Sequence, residues 1–369
     1  MLENTQKPAN GSEERPLSIG KRLFSIPTLI SFAVAFSLIA FLALRFNIDW
    51  RGTWDNIKNA NVGFFALALV LYYFSFVFRG LRWRILARNA KIQEVPGAKI
   101  PSLLKCSQFI LLGWFINTVT WFRLGDAYRA YVFSQESKSG FPRSFGTVLA
   151  ERVIDMATVF VLLVAGAAFL ILNQGIGTSS TANWSQLLRG LVVIALVMVA
   201  ALVVLMILMG RFGIRLSRFL PQRLQLFYER FHHATMGSFK NLPLVFALSA
   251  AGWFLEAGRL FYVVRALNLD LSLSLVLFVS ITSALLSTVP LTPGGLGFVE
   301  TGIVGLLVLS LDRHDAISVA ILDRSISYLS VVIFGGLLFL VYQIVQARAR
   351  KRTDTPSTLT GTSPPGEST

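Results

Sequence analysis

Apolar runs long enough to cross a bilayer alternate along the chain with short polar connections that are mostly basic. A hydrocarbon core about 30 Å thick needs roughly 20 apolar residues in a helix. Runs of this kind predict spans at about 24–44, 62–78, 143–172, 187–209, 242–266 and 316–345. Two further apolar stretches, 101–141 and 271–315, are broken near their middles. The second break is the sharper. From Ser287 to Glu300 it sets Pro290, Pro293, Gly294, Gly295 and Gly297 between apolar segments too short to span comfortably. A break frees backbone N–H and C=O groups, which at membrane depth are tolerated only where they are buried in protein or line a wet cavity.

The two broken stretches echo each other. Shifted by 172 positions, Thr292, Leu296 and Gly297 fall on Thr120, Leu124 and Gly125, and Asp323-Arg324 falls on Glu151-Arg152. In both copies the acid–Arg pair follows the last glycine by 26 residues. A looser match places Arg82 and Arg88 on Arg259 and Arg265 at an offset of 177. Breaks at corresponding places in two halves of a membrane protein point to a transporter-like binding site.

Charge then orients the chain, because cytoplasmic loops carry an excess of Lys and Arg. Arg79, Arg82, Arg84, Arg88, Lys91 and Lys99 against Glu94 put the connection after the second span inside. Residues 173–186 carry no charge and are expected outside, as is Asp270. Residues 211–240, with six basic residues and one acid, and 348–352 are expected inside. A signal peptide is the competing reading of 24–44. The long polar lead and the lack of a small-residue cleavage site favour a retained helix. Trp50 and Trp54, among polar residues, fit an interfacial connection. Residues 101–141 then enter and leave on the cytoplasmic face, and 271–315 on the external face. Two ordinary spans around each break are the alternative. The expected fold is an all-α polytopic membrane protein with about six full spans and two re-entrant or broken helical hairpins in an inverted repeat. The halves are about 23–172 and 187–347, within a flippase-like domain over 23–347. A polar cytoplasmic N-terminus, 1–22, precedes it, and a basic, then disordered, cytoplasmic tail, 348–369, follows.

Composition agrees. Hydrophobic residues make up 54% of the 369 and charged residues only 14%, where a soluble domain carries about 25% charged. The net charge of +15 is what basic cytoplasmic loops produce, and these attract anionic lipid heads rather than implying nucleic acid. A single cysteine, Cys106, excludes an internal disulfide and a cysteine-rich metal site. Three histidines, of which His232 and His233 are adjacent, and the lack of HExxH, Walker or GxSxG patterns leave no metal, cofactor or catalytic residue to expect. An integral protein of the plasma (inner) membrane with both termini cytoplasmic is expected.

Several ionisable residues stand inside apolar runs: Glu151, Arg152 and Asp155, then Asp323 and Arg324, then Glu256 and Arg259. A charge at a helix centre costs roughly 2.5–3.5 kcal/mol on insertion scales and usually faces the bundle interior. Arg152 and Asp155, three apart, share a helix face and can pair. Such groups are either a neutralised pair that pins helices together or the wall of a substrate path. At the first break Arg123, Gly125, Asp126 and Arg129 follow Asn117. A guanidinium fork matches phosphate, and a half-helix N-terminus adds free N–H groups. At the second, Pro293, Gly294, Gly295 and Gly297 offer close backbone approach, with Glu300 just beyond. A tight turn without ligand is the plainer reading of either. Residues 211–240 mix Arg215, Arg218, Arg223 and Arg230 with Phe212, Phe219, Leu224 and Phe227, a basic amphipathic surface interrupted by Pro221. Asn183-Trp184-Ser185 is a glycosylation triplet of little weight.

Arg82-Trp83, Asn117 with Arg123-Leu124-Gly125-Asp126 and Arg129, Glu151-Arg152 with Asp155, Thr292-Pro293-Gly294-Gly295-Leu296-Gly297 with Glu300, and Asp323-Arg324 together resemble the lysylphosphatidylglycerol synthase transmembrane family. These are flippase-like domains of the UPF0104 type, and the resemblance covers about residues 20–350. In the two-part synthases of that family the membrane domain moves aminoacylated phosphatidylglycerol and a separate soluble domain makes it. No soluble synthase domain stands in these 369 residues, so aminoacyl transfer is not expected. Thr120-Trp121-Phe122 stands where the family has a proline, which removes the obvious cause of a sharp first break.

The expected function is translocation of an anionic, aminoacylated or glycan-linked lipid headgroup. Arg123, Arg129, Arg152 and Arg324 would meet phosphate. Glu151, Asp155, Glu300 and Asp323 would orient those arginines or carry protons. A membrane scaffold or subunit for a separate soluble lipid-modifying enzyme, and a lipid-acting transferase, are the other classes.

Overall fold

The computed structural model describes residues 50–120, 122–174, 181–217, 221–288 and 292–353. The expected first span over 24–44, the polar N-terminus, Trp121, residues 175–180, residues 289–291 of the second break and the tail beyond Thr353 lie outside the described residues. The protein is an all-α polytopic membrane protein, with no strand among the described residues. In order the helices are α1 (Trp50–Lys58), α2 (Val62–Asn89), α3 (Leu103–Val119), α4 (Leu124–Ser137), α5 (Phe141–Gln174), α6 (Thr181–Ser217), α7 (Gln222–Ser238), α8 (Leu242–Ala266), α9 (Leu273–Thr288), α10 (Phe298–Leu307), α11 (Arg313–Arg324) and α12 (Gly336–Thr353). Val62–Asn89, Leu196–Arg215, Leu242–Ala266 and Arg313–Gln346 are long and apolar enough to cross a membrane. Their outward faces carry exposed Val62, Val70, Val197, Leu337 and Val341, a surface that suits lipid rather than water.

The antiparallel pair α2 and α8 forms the frame. At one end the Asn61 N–H donates to the Ala266 carbonyl at 2.7 Å. At the other, Asn89 Nδ2 donates to the Lys240 carbonyl at 2.7 Å. Helix α3 starts at the Asn89 end and runs back along α2, where Gly80 lets Ser107 pack against bare backbone. Helix α9 starts at the opposite end, just after Ala266. Neither is long enough to span. At about 1.5 Å per residue, the 17 residues of α3 reach about 25 Å and the 16 of α9 about 24 Å. Each then turns back on itself. Gly125 of α4 lies directly on the Gly113 carbonyl of α3, and Gly302 of α10 lies on Leu286 of α9. The broken stretches are therefore hairpins that start from opposite ends of the frame, not pairs of ordinary spans. Their tips meet: Arg123 Nη1 donates to the Ser287 carbonyl at 3.3 Å, and Gly294 packs against the Thr118 backbone, to whose carbonyl Tyr328 Oη of the last span donates at 3.3 Å.

The two turns are made differently. At the second, Gly294, Gly295 and Gly297 all take positive φ, at 60°, 71° and 78°, which glycine adopts without steric cost. At the first, no glycine or proline breaks the chain. Thr120 is extended, and Phe122 and Arg123 stand in the left-handed region at φ 56° and 52°. Each such non-glycine residue costs roughly 1–2 kcal/mol. The turn is held by Asn117, whose Oδ1 accepts from the Gly125 N–H at 2.8 Å, and by Thr120 Oγ1, which donates to the Ile116 carbonyl at 2.6 Å. The first break is sharp without its proline.

Three expectations are corrected. The second span does not end near 78: α2 continues to Asn89, and Arg79, Arg82 and Trp83 lie buried inside it rather than in a loop. Carboxylates on other helices neutralise those arginines, so a local charge count misassigns them. The basic surface over 211–240 is in part structural, because α7, begun by Pro221, packs on α5 and α2. There Thr235 Oγ1 donates to the Gly146 carbonyl at 3.2 Å, and Ser238 Oγ to the Leu86 carbonyl at 3.4 Å. Finally, the last span is not a plain α-helix. Directly after Arg324 it widens into two π-helical segments, Ser325–Leu329 and Val331–Gly335, an irregularity common at functional sites.

Candidate functional site

Where the hairpin tips meet α2, α5, α8, α9 and α11, the helices line a partly open cavity of about 150 Å³. Its wall holds Arg79, Arg123, Arg152, Arg259 and Arg324 against Asp155, Glu256 and Asp323. Serines 280, 283 and 287 of α9, three to four residues apart, add a polar stripe to an otherwise apolar helix.

The charged groups form two matching clasps, one per half. In the first, Arg82 of α2 donates to Glu151 of α5 at 2.8 Å and also to Asp155. In the second, Arg259 of α8 donates to the Asp323 carbonyl of α11 at 3.2 Å and to its carboxylate. The next residue on each of those acid-bearing helices is again an arginine. Arg152 lies 3.5 Å from Asp126 in the first turn of α4. Arg324 lies 2.7 Å from Glu300 in the first turn of α10. An acid at a helix N-terminus is favoured by the helix dipole. The repeat seen as scattered matches in the sequence is thus a repeat of ion pairs.

The partners differ from those that helical spacing suggests. Asp155 is 3.8 Å from Arg152, but its hydrogen bonds go to Arg82 and to Ser249 Oγ at 3.1 Å. Asp323 belongs to Arg259, not to Arg324. Glu256 does meet Arg259, at 3.4 Å, and also accepts from Arg79 at 3.2 Å. Arg129 is fully buried behind the wall, bonded to Glu151 at 2.9 Å and stacked on Trp83 at 5.1 Å. Trp83 Nε1 donates to Thr147 Oγ1 at 3.0 Å. Arg82, Trp83, Arg129 and Glu151 therefore build the frame, and so does Gly125, which seats α4 on α3. Pro293 is buried at the start of the second turn, and Gly297 precedes α10 as its cap. The Gly295 N–H is used inside the turn, donating to the Thr292 carbonyl at 3.1 Å. Gly294 contributes its carbonyl to Arg324 Nη2 at 2.8 Å.

Asn117, Arg123, Arg152, Asp155, Glu256, Arg259, Gly294, Gly295, Asp323 and Arg324 do line the cavity. Arg152 stands apart among them. Three carboxylates, on Asp126, Glu151 and Asp155, surround it at 3.5–3.8 Å, yet its Nε has no hydrogen-bond partner. Arg123 is 29% exposed and holds two carbonyls of α9 only at 3.3 and 3.5 Å. Sequence reasoning missed Arg79, Tyr72, Trp114, Trp253 and the α9 serines. Two signals were available: Arg79 and Glu256 share the 177-residue offset of Arg82 and Arg259, and the serines follow helical spacing. Among the described residues, no group of three or more His, Cys, Asp or Glu is placed to hold a metal ion.

Comparison with known proteins fits this arrangement. The profile of the lysylphosphatidylglycerol synthase TM region matches residues 28–335. The chain belongs to that family. A UPF0104 membrane protein of Methanocaldococcus jannaschii is 30% identical over 232 residues, 62% of this chain and 94% of that one. Another, of Pyrococcus horikoshii, is 21% identical over 320 residues, 79% of this chain and 91% of the relative. The glycosyltransferase AglD of Haloferax volcanii is 23% identical over 353 residues, which cover 87% of this chain but 55% of AglD. The matched family region takes in both hairpins, both clasps and the cavity between them.

Proposed function

We propose that this protein moves a phosphate-bearing lipid headgroup across the bilayer through the cavity between its two hairpin tips. The observation that carries the reading is Arg152. A guanidinium at a cavity wall, ringed by carboxylates and without a hydrogen bond of its own, keeps donors for an anion. Arg123 adds a second, loosely held guanidinium at the hairpin tip. Hairpins from opposite ends supply near-equivalent walls, which suits a site that is approached in turn from either leaflet. In this proposal the termini are cytoplasmic, the membrane is the plasma (inner) membrane, and the carboxylates position arginines.

The test is transport of fluorescent phospholipid by purified protein in liposomes, read by dithionite quenching. Faster loss of the protected inner-leaflet signal than in protein-free liposomes is expected, and its abolition in Arg152→Ala. A wild-type rate equal to that of empty liposomes refutes the translocase reading. One observation favours a second reading. The match to AglD, a named glycosyltransferase, covers 55% of that protein, so a related membrane part can accompany an enzyme. A module that presents lipid to a soluble lipid-modifying partner would bind headgroups without moving them.

A further inference from the structure

Glu300 is the most lightly held carboxylate of the two clasps. Asp126 has Arg123, Arg129 and Arg152 at 3.3–3.5 Å. Glu151 has Arg82, Arg129 and Arg152, Asp155 has Arg82 and Arg152, and Glu256 has Arg79 and Arg259. Asp323 is bonded by Arg259 through carbonyl and carboxylate together. Glu300 has one arginine, Arg324, whose Nε donates to Oε1 at 2.7 Å, and its Oε2 is buried without a hydrogen bond. Arg324 is part of the cavity wall, as is its counterpart Arg152 in the first half. Its Nη2 goes to an uncharged acceptor, the Gly294 carbonyl, at 2.8 Å. No other cation stands by to replace it. Helix α9, packed on α10, has no ionisable residue, and α10 has none besides Glu300. On α11, Asp323 belongs to Arg259, while Arg313, His314 and Asp315 lie at the far end of the helix. Tyr328, over which Arg324 lies at 5.1 Å, is the other titratable group that faces Glu300.

We infer that a phosphate reaching Arg324 leaves a proton on Glu300, so that headgroup binding in the second half is linked to proton uptake. The inference rests on the reading of the cavity as a lipid-headgroup site. Phosphate oxygens take over the Arg324 N–H groups, and Glu300 loses its one cation. A carboxylate without counter-charge, one oxygen of which already lacks a hydrogen bond, neutralises rather than stays charged. A proton from water adds to the carboxylate and gives the carboxylic acid. The return of Arg324 releases it. The side chain is 24% exposed, which lets the group exchange protons with water. The first half needs no such step, because Asp126 keeps Arg123 and Arg129 when Arg152 turns to the phosphate.

Proton counting tests this. Short-chain phosphatidylglycerol and phosphatidylcholine, whose headgroups do not titrate near neutral pH, are bound to detergent-purified protein in buffers of different ionisation heat. Calorimetry then gives the protons taken up per lipid. Wild type should take up about one, and its affinity should rise by up to about tenfold for each unit fall in pH. Its infrared difference spectrum on binding should gain the C=O band of a protonated carboxylic acid. Glu300→Gln should bind without proton uptake, with an affinity that is flat in pH, and without that band. His232, His233 and His314 titrate in the same range, but none lines the cavity, and all three remain in this variant. Binding by wild type with neither proton uptake nor the new band overturns the inference without any variant. Undiminished uptake in folded Glu300→Gln overturns the role of Glu300. Proton uptake without lipid movement in liposomes removes the translocase and leaves the linkage. Lipid movement without proton uptake does the reverse, and no binding of either lipid overturns the linkage.

Discussion

Arg82 on α2 donates to Glu151 on α5 at 2.8 Å, across 69 residues of sequence and with both side chains 1% exposed. Its counterpart in the second half, Arg259 to Asp323, crosses 64 residues and is almost as buried. Each clasp ties a helix of the central frame to the acid–Arg helix of its own half. Breaking a buried pair by removing one partner leaves an uncompensated charge and costs about 3–5 kcal/mol.

Arg82→Ala should therefore lower folded yield and melting temperature in detergent severely, since Glu151 and Asp155 both lose their main partner. Arg259→Ala should behave alike through Asp323 and Glu256. A shift of only a degree or two in either melting curve would mean that the clasps carry little of the fold.

Arg152 separates function from folding. Its carboxylate neighbours all have other arginines, and its side chain is 21% exposed. Arg152→Ala should melt close to wild type while losing lipid movement. If it falls apart as Arg82→Ala does, Arg152 is a structural ion and the proposed path through the cavity loses its main support.

The fold was legible in the sequence where breaks and apolar periods carry it. Among the described residues, the existence of four spans, the two hairpins and their starts at opposite ends of the frame follow from run lengths, Pro293, Gly294, Gly295 and charge bias. Much of the site was legible as well, because ionisable residues in apolar runs must face inward. Pairing was not. Arg152 with Asp155 is the pair that helical spacing offers, but bonds to Asp155 come from Arg82 and Ser249 on other helices. Arg79 looked like loop because its neutralising partner, Glu256, is 177 residues away. The first turn lacked any local sign, since Phe122 and Arg123 take left-handed backbone that their residue types disfavour.

The glycines make graded predictions. A methyl at Gly125 would land inside the Gly113 carbonyl and force α4 off α3. Gly125→Ala should cost more than the roughly 1–3 kcal/mol of ordinary overpacking, because backbone cannot yield as a side chain does. At Gly305 nothing lies within 4 Å, so Gly305→Ala should be neutral in the same melting assay. Gly294→Ala should fall between them: φ is 60° and the added Cβ would stand 2.6 Å from Tyr328, whose ring can shift. Equal stability of all three variants would mean that helix contacts at the hairpins are looser than the distances imply.

Orientation is tested by labelling. With the termini cytoplasmic as proposed, a cysteine at exposed Lys138, in a Cys106→Ser background, should react from the cytoplasmic side, and one at His314 from outside. Ser137 is unsuitable because it is fully buried. Reaction of both from one side would contradict hairpins that open from opposite faces.

Arg123 gives the last prediction because it is the side chain that crosses from one hairpin tip to the other. Its Nη1 faces the Ser287 and Thr288 carbonyls at the C-terminal end of α9, where the helix dipole is negative. Its Nε lies 3.5 Å from Asp126. A phosphate in the cavity would compete with those carbonyls for the same guanidinium, and it offers a full negative charge and two oxygens that match the planar fork. Arg123→Lys keeps the charge but loses the planar fork, so transport should fall about tenfold, the equivalent of roughly 1.4 kcal/mol. Arg123→Gln loses the charge and should fall further, while both melt near wild type because a side chain 29% exposed contributes little burial. A parallel double mutant, Phe122→Cys with Ser287→Cys in the Cys106→Ser background, joined by a short bismaleimide, would hold the tips together. Transport should stop in the joined protein and return when a cleavable linker is cut. Undiminished transport in both Arg123→Gln and the joined protein would mean that the headgroup does not pass between the tips, and that the two hairpins meet only to close the fold.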